Sequence, residues 1–398
     1  LNSRFAADVY LGFADVVENG EFVDRMVVMQ RLPVRRRLSL LLDTAEAPDL
    51  LRAVARRVAA CHADAEPLTR GTAATAAAVG RNWADNFTAI EPHVGTIIDR
   101  TAFDEVRRLA ERYLSQHARL FEHRIRDGFV RDGHGDLIAD DIYCLDDGPR
   151  ILDCLAFDDE LRVGDVINDI AFLAMDVHRI AGPELAESLI AAYQEFSNER
   201  HPASLAHFYI AYRSHVRAKV ACVRIAQGDR ASIDLARHHH ALAHHHLEQA
   251  HTRVIVVGGG PGVGKTLLSQ RLADHYGYVH LATDEIRHDV AHIPHGQHAF
   301  ARPDEDAYSP DLVNATYDEM VREASTLLHA GHGVVLDASW ASECHRAAVR
   351  ELAHEHDVDL IEIECVLDND LARERIARRL ANPDDPSDAT PDLVDRLQ

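Results

Sequence analysis

Lysine is nearly absent from this 398-residue sequence, which contains only Lys219 and Lys265 although lysine and arginine together number 42. Acidic residues number 65, so the formal net charge at pH 7 is -23. Proteins that bind nucleic acids present basic surfaces to the phosphates, and this acidic balance therefore argues against a nucleic-acid partner. A local basic pocket remains compatible with it.

Long apolar runs and cysteine-pair motifs are also missing. No run approaches the roughly 20 residues that a membrane-spanning helix needs, and no signal-peptide pattern is present. The six cysteines show no Cys-x-x-Cys or Cys/His ligand spacing, which predicts reduced thiols in a cytoplasmic protein. The length suggests two or three domains. Because the sequence starts without methionine, we expect it to be part of a longer protein.

The most informative motif follows the apolar run Arg253–Val257. Its members are Gly259, Gly260, Pro261, Gly262, Val263, Gly264, Lys265 and Thr266. This is the Walker A pattern, in which glycines shape a nest of backbone N–H groups, the lysine reaches the β- and γ-phosphates, and the threonine ligates Mg²⁺. In a chain that otherwise uses arginine, a lysine at this position is not expected to be incidental. The alternative is a glycine-rich turn without a ligand.

Around this motif the sequence alternates between strand and helix patterns. Strands are predicted at 253–257, 278–282, 333–337 and 359–366, with helices between them. Alternation of this kind predicts a doubly wound parallel sheet in a domain spanning 252–398.

The first 250 residues have a different pattern and form a second predicted domain, 1–250. A β-hairpin is predicted at 7–31 around Asn19-Gly20, followed by mostly helical segments, including one long helix over 103–125. A polar insert at 128–158 interrupts the helices, and four further helices are predicted at about 166–180, 183–199, 204–227 and 231–250.

A histidine-rich run at 238–246 allows two interpretations. In a helix, His240 and His244 lie four residues apart on one face, which is a possible metal pair. The alternative is a solvated helix near a domain junction.

The polar insert has the layout of a protein-kinase-like catalytic loop. Asp136 follows His134-Gly135, Asp141 lies five residues later, and Asp153 ends the strand after a hairpin. This layout resembles the aminoglycoside phosphotransferase and choline kinase group. The resemblance implies that Asp136 accepts the acceptor hydroxyl's proton, while Asp153 and Asp141 hold Mg²⁺. Asp141 departs from the family pattern, which has Asn there.

Two further features qualify this resemblance. Asp169 matches the position that buttresses the catalytic loop in this group, and a helix N-cap is the alternative. Such kinases clamp ATP with a glycine-rich loop and a strand lysine, yet no lysine precedes Lys219. We therefore expect an intact, mostly helical large lobe with only part of the small lobe, the hairpin 7–31.

Taken together, the chain resembles a bacterial two-domain family in which an aminoglycoside phosphotransferase-like domain is fused to a small P-loop kinase domain. Ala156 is a second departure, since this family usually has Glu there. The segments that carry the resemblance are 7–12, 133–137, 152–162, 165–176 and 212–220.

The second domain resembles the gluconate-kinase, zeta-toxin and polynucleotide-kinase branch of P-loop enzymes. By that resemblance Asp284 faces the acceptor hydroxyl and Arg287 grips a polar or anionic group; a helix N-cap is the alternative for Asp284. Asp337 occupies a Walker-B-like position at a strand end, where such an acid is expected to meet Mg²⁺ directly or through water.

A lid is implied at the end of the second domain. Arg375 and Arg379 lie four residues apart on a predicted helix, where the resemblance has arginines that cover the phosphates. A solvated helix face is the alternative.

The sequence therefore predicts an ATP- and Mg²⁺-dependent kinase acting on a small hydroxyl-bearing molecule, without a nucleic-acid or membrane partner. An ATP-binding regulatory or scaffold protein, with a pseudokinase first domain, is the first alternative. A nucleic-acid end kinase is the second, and the acidic charge disfavours it.

Overall fold

The computed structural model describes residues 2–70, 72–291 and 309–380. The chain divides into two compact units, Leu1–Ala250 and His251–Gln398.

The first unit begins with a two-stranded antiparallel hairpin, β1 (Tyr10–Glu18) and β2 (Glu21–Met29). Asn19 and Gly20 connect the strands with positive φ angles of 53° and 86°. Two successive positive φ angles suit the right-handed twist of a hairpin, and Asn-Gly is the pair that tolerates them best. The predicted hairpin and its turn are confirmed.

Four helices follow: α1 (Ala47–Asp64), α2 (Ala76–Ile90), α3 (Arg100–Gln116) and α4 (Ala118–Arg126). The single helix predicted over 103–125 is wrong, because the backbone leaves the helical region at His117 (φ -110°, ψ 20°). The break lets Tyr113 stack on Phe208 at 4.2 Å while Phe121 meets the same ring edge-on at 5.9 Å. Tertiary packing overrides a helical pattern that continues through the break.

The polar insert consists of short paired strands. Its elements are β3 (Val130–Asp132), β4 (Ile142–Leu145), β5 (Gly148–Ile151), α5 (Asp159–Arg162) and β6 (Val163–Asp165). β3 pairs with β6, and β4 pairs with β5, both antiparallel. The segments that follow β3 and β5 meet each other, because the Leu155 N–H donates to the carbonyl oxygen of His134 at 3.0 Å.

The remaining helices of the first unit are α6 (Val166–Ala181), α7 (Pro183–Ser197), α8 (Ala203–Ala226) and α9 (Ser232–Ala250). They agree with the predicted spans to within two residues. Their apolar faces share one large core with α1 to α4. Within the described ranges, no helix is both long enough and apolar enough to cross a membrane.

The second unit is a parallel sheet flanked by helices. Its elements are β7 (Arg253–Gly258), α10 (Lys265–Tyr276), β8 (Val279–Ala282), α11 (Thr283–Val290), α12 (Pro310–His329), β9 (Val334–Asp337), α13 (Glu343–Glu355), β10 (Asp359–Glu364) and α14 (Asn369–Leu380). The strand order is β10-β7-β9-β8, and all three pairings are parallel. The predicted strands are therefore present.

Alternate residues of β7 face opposite sides of this sheet. Val254 and Val256 pack in a core with residues of α12 and α13, whereas Ile255 and Val257 pack in a second core with residues of α10. A strand that is apolar on both faces is expected in a parallel sheet covered by helices on both sides. The doubly wound architecture follows from this pattern.

Candidate functional site

The Walker A segment forms the turn between β7 and α10. Gly259, Gly262 and Gly264 have φ angles of +134°, +77° and +102°, which side chains other than glycine rarely adopt. A Cβ atom at Gly262 would lie 2.8 Å from the carbonyl oxygen of Ala372. The backbone conformation therefore favours glycine at all three positions, and at Gly262 the closeness of α14 requires it as well.

Lys265 and the start of α10 complete this loop. The Lys265 Nζ donates a hydrogen bond to the Gly260 carbonyl oxygen at 2.8 Å. Gly264, the N-cap residue, supplies no side-chain cap to the first N–H groups of α10. Such N–H groups and the helix dipole favour an anion at this end. The Thr266 side chain is exposed at the first turn.

The three strands β7, β9 and β8 end side by side. Asp337, the last residue of β9, is level with Val257 of β7 and with Ala282 of β8. The Walker A turn follows β7, and Asp284 follows β8. Asp337 is thus positioned between the two, at the carboxyl edge where open α/β sheets bind ligands.

Asp337 is buried, with 5% of its side chain exposed, and its carboxylate accepts no hydrogen bond from the described residues. Its Oδ2 lies 3.4 Å from the Nε2 of His280 on β8. A buried carboxylate without hydrogen-bond donors is costly unless a ligand compensates for it. A cation would compensate for this charge, and Thr266 and Asp337 are the residues of this unit that would hold it.

Asp284 is paired with Arg287. Arg287 Nη1 donates to Asp284 Oδ1 at 3.1 Å, and the arginine side chain is 10% exposed. α11 begins at Thr283, and its N-cap residue is Ala282. The N-cap alternative for Asp284 is therefore wrong, because the residue lies within the first turn and its carboxylate accepts from an arginine.

Of the two predicted lid arginines, Arg375 can be described in full. It is exposed on α14, and its Nη1 lies 3.5 Å from the carbonyl oxygen of Val263 in the Walker A turn. The side chain of Arg379 lies outside the described residues. The contact of Arg375 disfavours a purely solvated face for that residue.

Ser339 and Trp340 form a turn that supports the Walker A segment, and the sequence did not predict this contact. The Gly259 N–H donates to the carbonyl oxygen of Ser339 at 3.3 Å. The next residue, Trp340, has a positive φ of 53°, and its indole N–H donates to Leu336 O at 3.3 Å. A bulky residue at positive φ is strained, and such strain concentrates at functional sites. No local sequence signal marks this turn.

In the first unit, Asp169 anchors the predicted catalytic loop. Its carboxylate accepts from the backbone N–H groups of His134 at 2.7 Å and Gly135 at 2.8 Å, and it lies 3.1 Å from His62 Nε2. The N-cap of α6 is Asp165, whose side chain accepts from Ile167, so the N-cap alternative for Asp169 is wrong. Although burial opposes it, hydrogen bonding by His62 and the loop N–H groups keeps the pKa of Asp169 below its usual range.

The strand end at Asp153 lies against the same loop. His134 Nε2 hydrogen-bonds to the carbonyl oxygen of Leu152 at 2.9 Å, and the Asp153 N–H donates to the hydroxyl of Tyr10 at 3.0 Å. Asp153 has a positive φ of 62°. From α8, Arg213 donates to the Gly135 carbonyl oxygen at 3.1 Å. The loop and the strand end are therefore held together from several elements.

The predicted acids of the first unit influence one another electrostatically. Burial raises the pKa of Asp136, against the opposing effect of Arg217 and Arg213. Burial, together with Asp153 and Asp136, raises the pKa of Asp141 to about 6. A cation would compensate for this mutual repulsion. Mg²⁺ would be held here by Asp141 and Asp153.

The described residues contain no group of three or more His, Cys, Asp or Glu side chains arranged to hold a metal ion by themselves. Among the described residues no third ligand joins His240 and His244: His240 is buried and stacks near Phe103, so it is not on a solvated face, and His244 lies 3.8 Å from Glu248. Any Mg²⁺ in either unit would depend on phosphate oxygens or water as additional ligands.

Known proteins match the second unit by a family model and the whole chain by sequence similarity. Residues 254–398 match a family model described as an AAA domain. Uncharacterized protein Rv2004c of Mycobacterium tuberculosis is 36% identical over 403 residues, a match that covers 100% of this chain and 80% of that protein. Uncharacterized protein Mb2027c of Mycobacterium bovis matches with the same identity and coverage. The chain belongs to the family of these mycobacterial proteins.

The match to these mycobacterial proteins covers the first unit as well as the AAA domain. Among solved structures, a choline kinase from Cryptosporidium parvum is similar over 58% of this chain and 71% of its own, with 11% identity and a TM-score of 0.35. The second unit combines the AAA-domain match with a Walker A turn on a parallel sheet. The first unit contributes the loop around Asp136, whose layout resembles a kinase-like catalytic loop.

Proposed function

We propose that this chain is an ATP-dependent phosphotransferase that moves the terminal phosphoryl group of ATP to a hydroxyl of a small metabolite. The observation that carries the proposal is the strand order in the second unit. It aligns the Walker A turn, Asp337 and Asp284 along one sheet edge, in the order β7, β9 and β8. This is the order in which nucleotide, cation and acceptor would be expected to follow one another.

Each residue is assigned a role by its position. Lys265 and the backbone N–H groups of Gly260 and residues 262–266 would bind the phosphates, and Thr266 and Asp337 would hold Mg²⁺. The bound cation would neutralise charge on the phosphates. Asp284 would orient the acceptor hydroxyl and take its proton, and Arg287 would bind a polar group of the acceptor.

The lid roles are proposed for Arg375 and Arg379. Arg375 lies against the Walker A turn, so its guanidinium can reach a phosphate bound there with a small movement. Positive groups that meet charge developing during phosphoryl transfer contribute to catalysis. We place the reaction in the cytoplasm, because all six cysteines are free thiols.

The proposal is tested by an ATP-turnover screen of the full chain against sugars, amino sugars and polyols. Acceptor-dependent ADP release that disappears in Lys265→Ala supports it. ADP release that does not depend on any acceptor, or that persists in Lys265→Ala, contradicts it.

A second candidate function applies to the first unit, which we infer to be a regulatory or binding domain of low phosphotransfer activity. Asp141 replaces the expected Asn, Ala156 replaces the expected Glu, and Lys219 is the only lysine in residues 1–250. We expect Asp136→Asn to leave the turnover of the full chain nearly unchanged. Acceptor-dependent turnover that survives Lys265→Ala but is abolished by Asp136→Asn would show that the first unit is the active kinase.

A further inference from the structure

His280 is a polar exception on an apolar face of the sheet. It lies opposite Val335 in the parallel register of β8 and β9, and Val335 packs with Ile255 and Val257 in the core beneath α10. Residues opposite each other in register face the same side of a sheet. His280 therefore points to the side covered by α10, the helix that follows the Walker A turn.

The imidazole is half-buried there, and its Nε2 atom is buried without a hydrogen-bond partner among the described residues. Its side chain is 15% exposed, and its Nε2 makes no hydrogen bond within the described part of the chain. The nearest carboxylate oxygen is Asp337 Oδ2, at 3.4 Å. A buried polar atom without a partner costs about 1–3 kcal/mol, so its presence in an apolar layer requires an explanation.

Asp337, in turn, lacks a hydrogen-bond donor for its carboxylate within the described ranges. Its buried carboxylate accepts no hydrogen bond from the described residues, and His280 is its only ion-pair neighbour among them. Asp337 lies two residues beyond Val335 on β9 and therefore on the same face. A small shortening of the 3.4 Å separation would satisfy the imidazole donor and one carboxylate oxygen together.

We propose that His280 is a positioning residue for Asp337: its imidazole Nε2–H donates to Oδ2 and fixes the orientation of the carboxylate that would hold the Mg²⁺ of bound ATP. This inference rests on the proposed function of the second unit. His280 does not touch the nucleotide in this account and acts only through Asp337. Hydrogen bonds that orient a ligand's carboxylate typically change metal affinity by 10- to 100-fold when they are removed.

A purely structural role for His280 makes a different prediction. If the side chain only fills space beneath α10, a leucine should replace it without effect on Mg²⁺. Two substitutions by amide side chains of different length distinguish the two roles. Glutamine can place an N–H near the position of Nε2, whereas asparagine places it nearer to Nδ1.

The experiment uses the full chain and the variants His280→Gln, His280→Asn and His280→Leu. His354→Leu, on the exposed face of α13, is the matched control, since it removes a histidine of the same unit that is exposed to solvent. ATP binding is measured by calorimetry across a series of Mg²⁺ concentrations, and again with a chelator in place of Mg²⁺. The readout is the Mg²⁺ concentration that gives half of the maximal gain in ATP affinity.

We expect this midpoint to rise about 10-fold in His280→Leu and His280→Asn, and to stay within about threefold in His280→Gln and His354→Leu. ATP affinity in chelator should be equal in all of these proteins. An unchanged midpoint in His280→Leu, or in His280→Asn if the leucine variant does not fold, overturns the inference. Equal defects in the Gln and Asn variants overturn it as well. If the unsubstituted chain binds no Mg-ATP, the proposed function of the second unit fails with it.

Discussion

The Lys265 ammonium donates to the carbonyl oxygen of Gly260, five residues earlier in the same turn, at 2.8 Å. The lysine therefore lies over the nest of N–H groups, where it would meet the β- and γ-phosphates of ATP. Lys265→Ala should lower ATP affinity by about 10- to 100-fold, since a hydrogen bond to a charged group contributes about 1.5–3 kcal/mol. Calorimetry with Mg-ATP measures this loss.

The matched control for this variant is Lys219→Ala, which removes the other lysine of the chain from α8 in the first unit. It should leave ATP affinity at the second unit unchanged. Equal affinities of Lys265→Ala and the unsubstituted chain would remove the Walker A assignment.

Two glycines of the same turn should respond differently to alanine. At Gly262 the new Cβ would lie 2.8 Å from Ala372 O and 2.9 Å from Ile376 Cγ1, at a φ of +77°. At Gly260 nothing lies within 4 Å of the new Cβ. Gly262→Ala should lower the free energy of unfolding of the second unit by about 2 kcal/mol or more, and Gly260→Ala by less than about 0.5 kcal/mol. Urea unfolding without nucleotide distinguishes them, and equal stability of the two variants would contradict the packing of α14 on the turn.

The negative charge of ionised Asp141 should reduce the free energy of unfolding of the first unit. Its pKa is raised to about 6 by burial, Asp153 and Asp136. Between pH 3.8 and 6 the unfolded chain ionises this carboxyl while the folded chain keeps it protonated, so stability falls as pH rises through this window. Asp141→Asn avoids the loss and should gain about 1–2 kcal/mol at pH 7, a value reduced here because the group is partly solvated.

The gain from Asp141→Asn should disappear as the pH approaches 4, and exposed Asp64→Asn should show no comparable gain. Denaturant unfolding at pH 4, 5.5 and 7 measures both. A destabilised Asp141→Asn at pH 7 would mean that the charged carboxylate is favourably held in the folded protein.

Buried histidines should make the first unit sensitive to acid. Burial lowers the pKa of His240 to about 4, with a further lowering by His244 and opposing effects of Ala102 and Asp99. Below pH 6.5 His240 binds a proton in the unfolded chain but stays unprotonated in the folded chain. The free energy of unfolding therefore falls as pH drops from 6.5 to about 4. The loss is about 1.4 kcal/mol per pH unit for each such histidine.

His240→Leu should therefore gain about 2 kcal/mol relative to the unsubstituted chain when the pH is lowered from 7.5 to 5. Exposed His123→Leu should show no such pH-dependent gain. Urea unfolding at the two pH values is the measurement, and a gain of His240→Leu that does not change with pH would rule out the protonation account.

The elements of the second unit could be predicted because their signals are local. Apolar, β-branched runs next to glycine mark β7, β8 and β9, and the Walker A pattern marks the turn that follows β7. The first unit's later helices were equally accessible, because Gly182, Pro183 and Pro202 mark their ends. The break at His117 was not, since the helical period runs through it and the packing on Phe208 causes it.

At the candidate sites the sequence offers the motif residues but not the contacts that hold them in place. Asp284 and Arg287 were both identified, but their mutual pairing was not foreseen, although three residues on a helix allow it. His280 and the Ser339-Trp340 turn gave no signal, because their partners lie across the sheet and far away in sequence. Such contacts depend on strand order, which a single sequence does not provide.

The central claim is that the second unit transfers phosphate to a hydroxyl that faces Asp284. The most direct measurement follows labelled γ-phosphate from ATP to an acceptor found by the screen, in the unsubstituted chain and in Asp284→Asn. The asparagine keeps the shape and an acceptor for Arg287 but removes the base, so transfer should slow by about 100-fold or more while ATP affinity stays the same. Transfer at an undiminished rate in Asp284→Asn, or no transfer by the unsubstituted chain to any acceptor, would contradict the account.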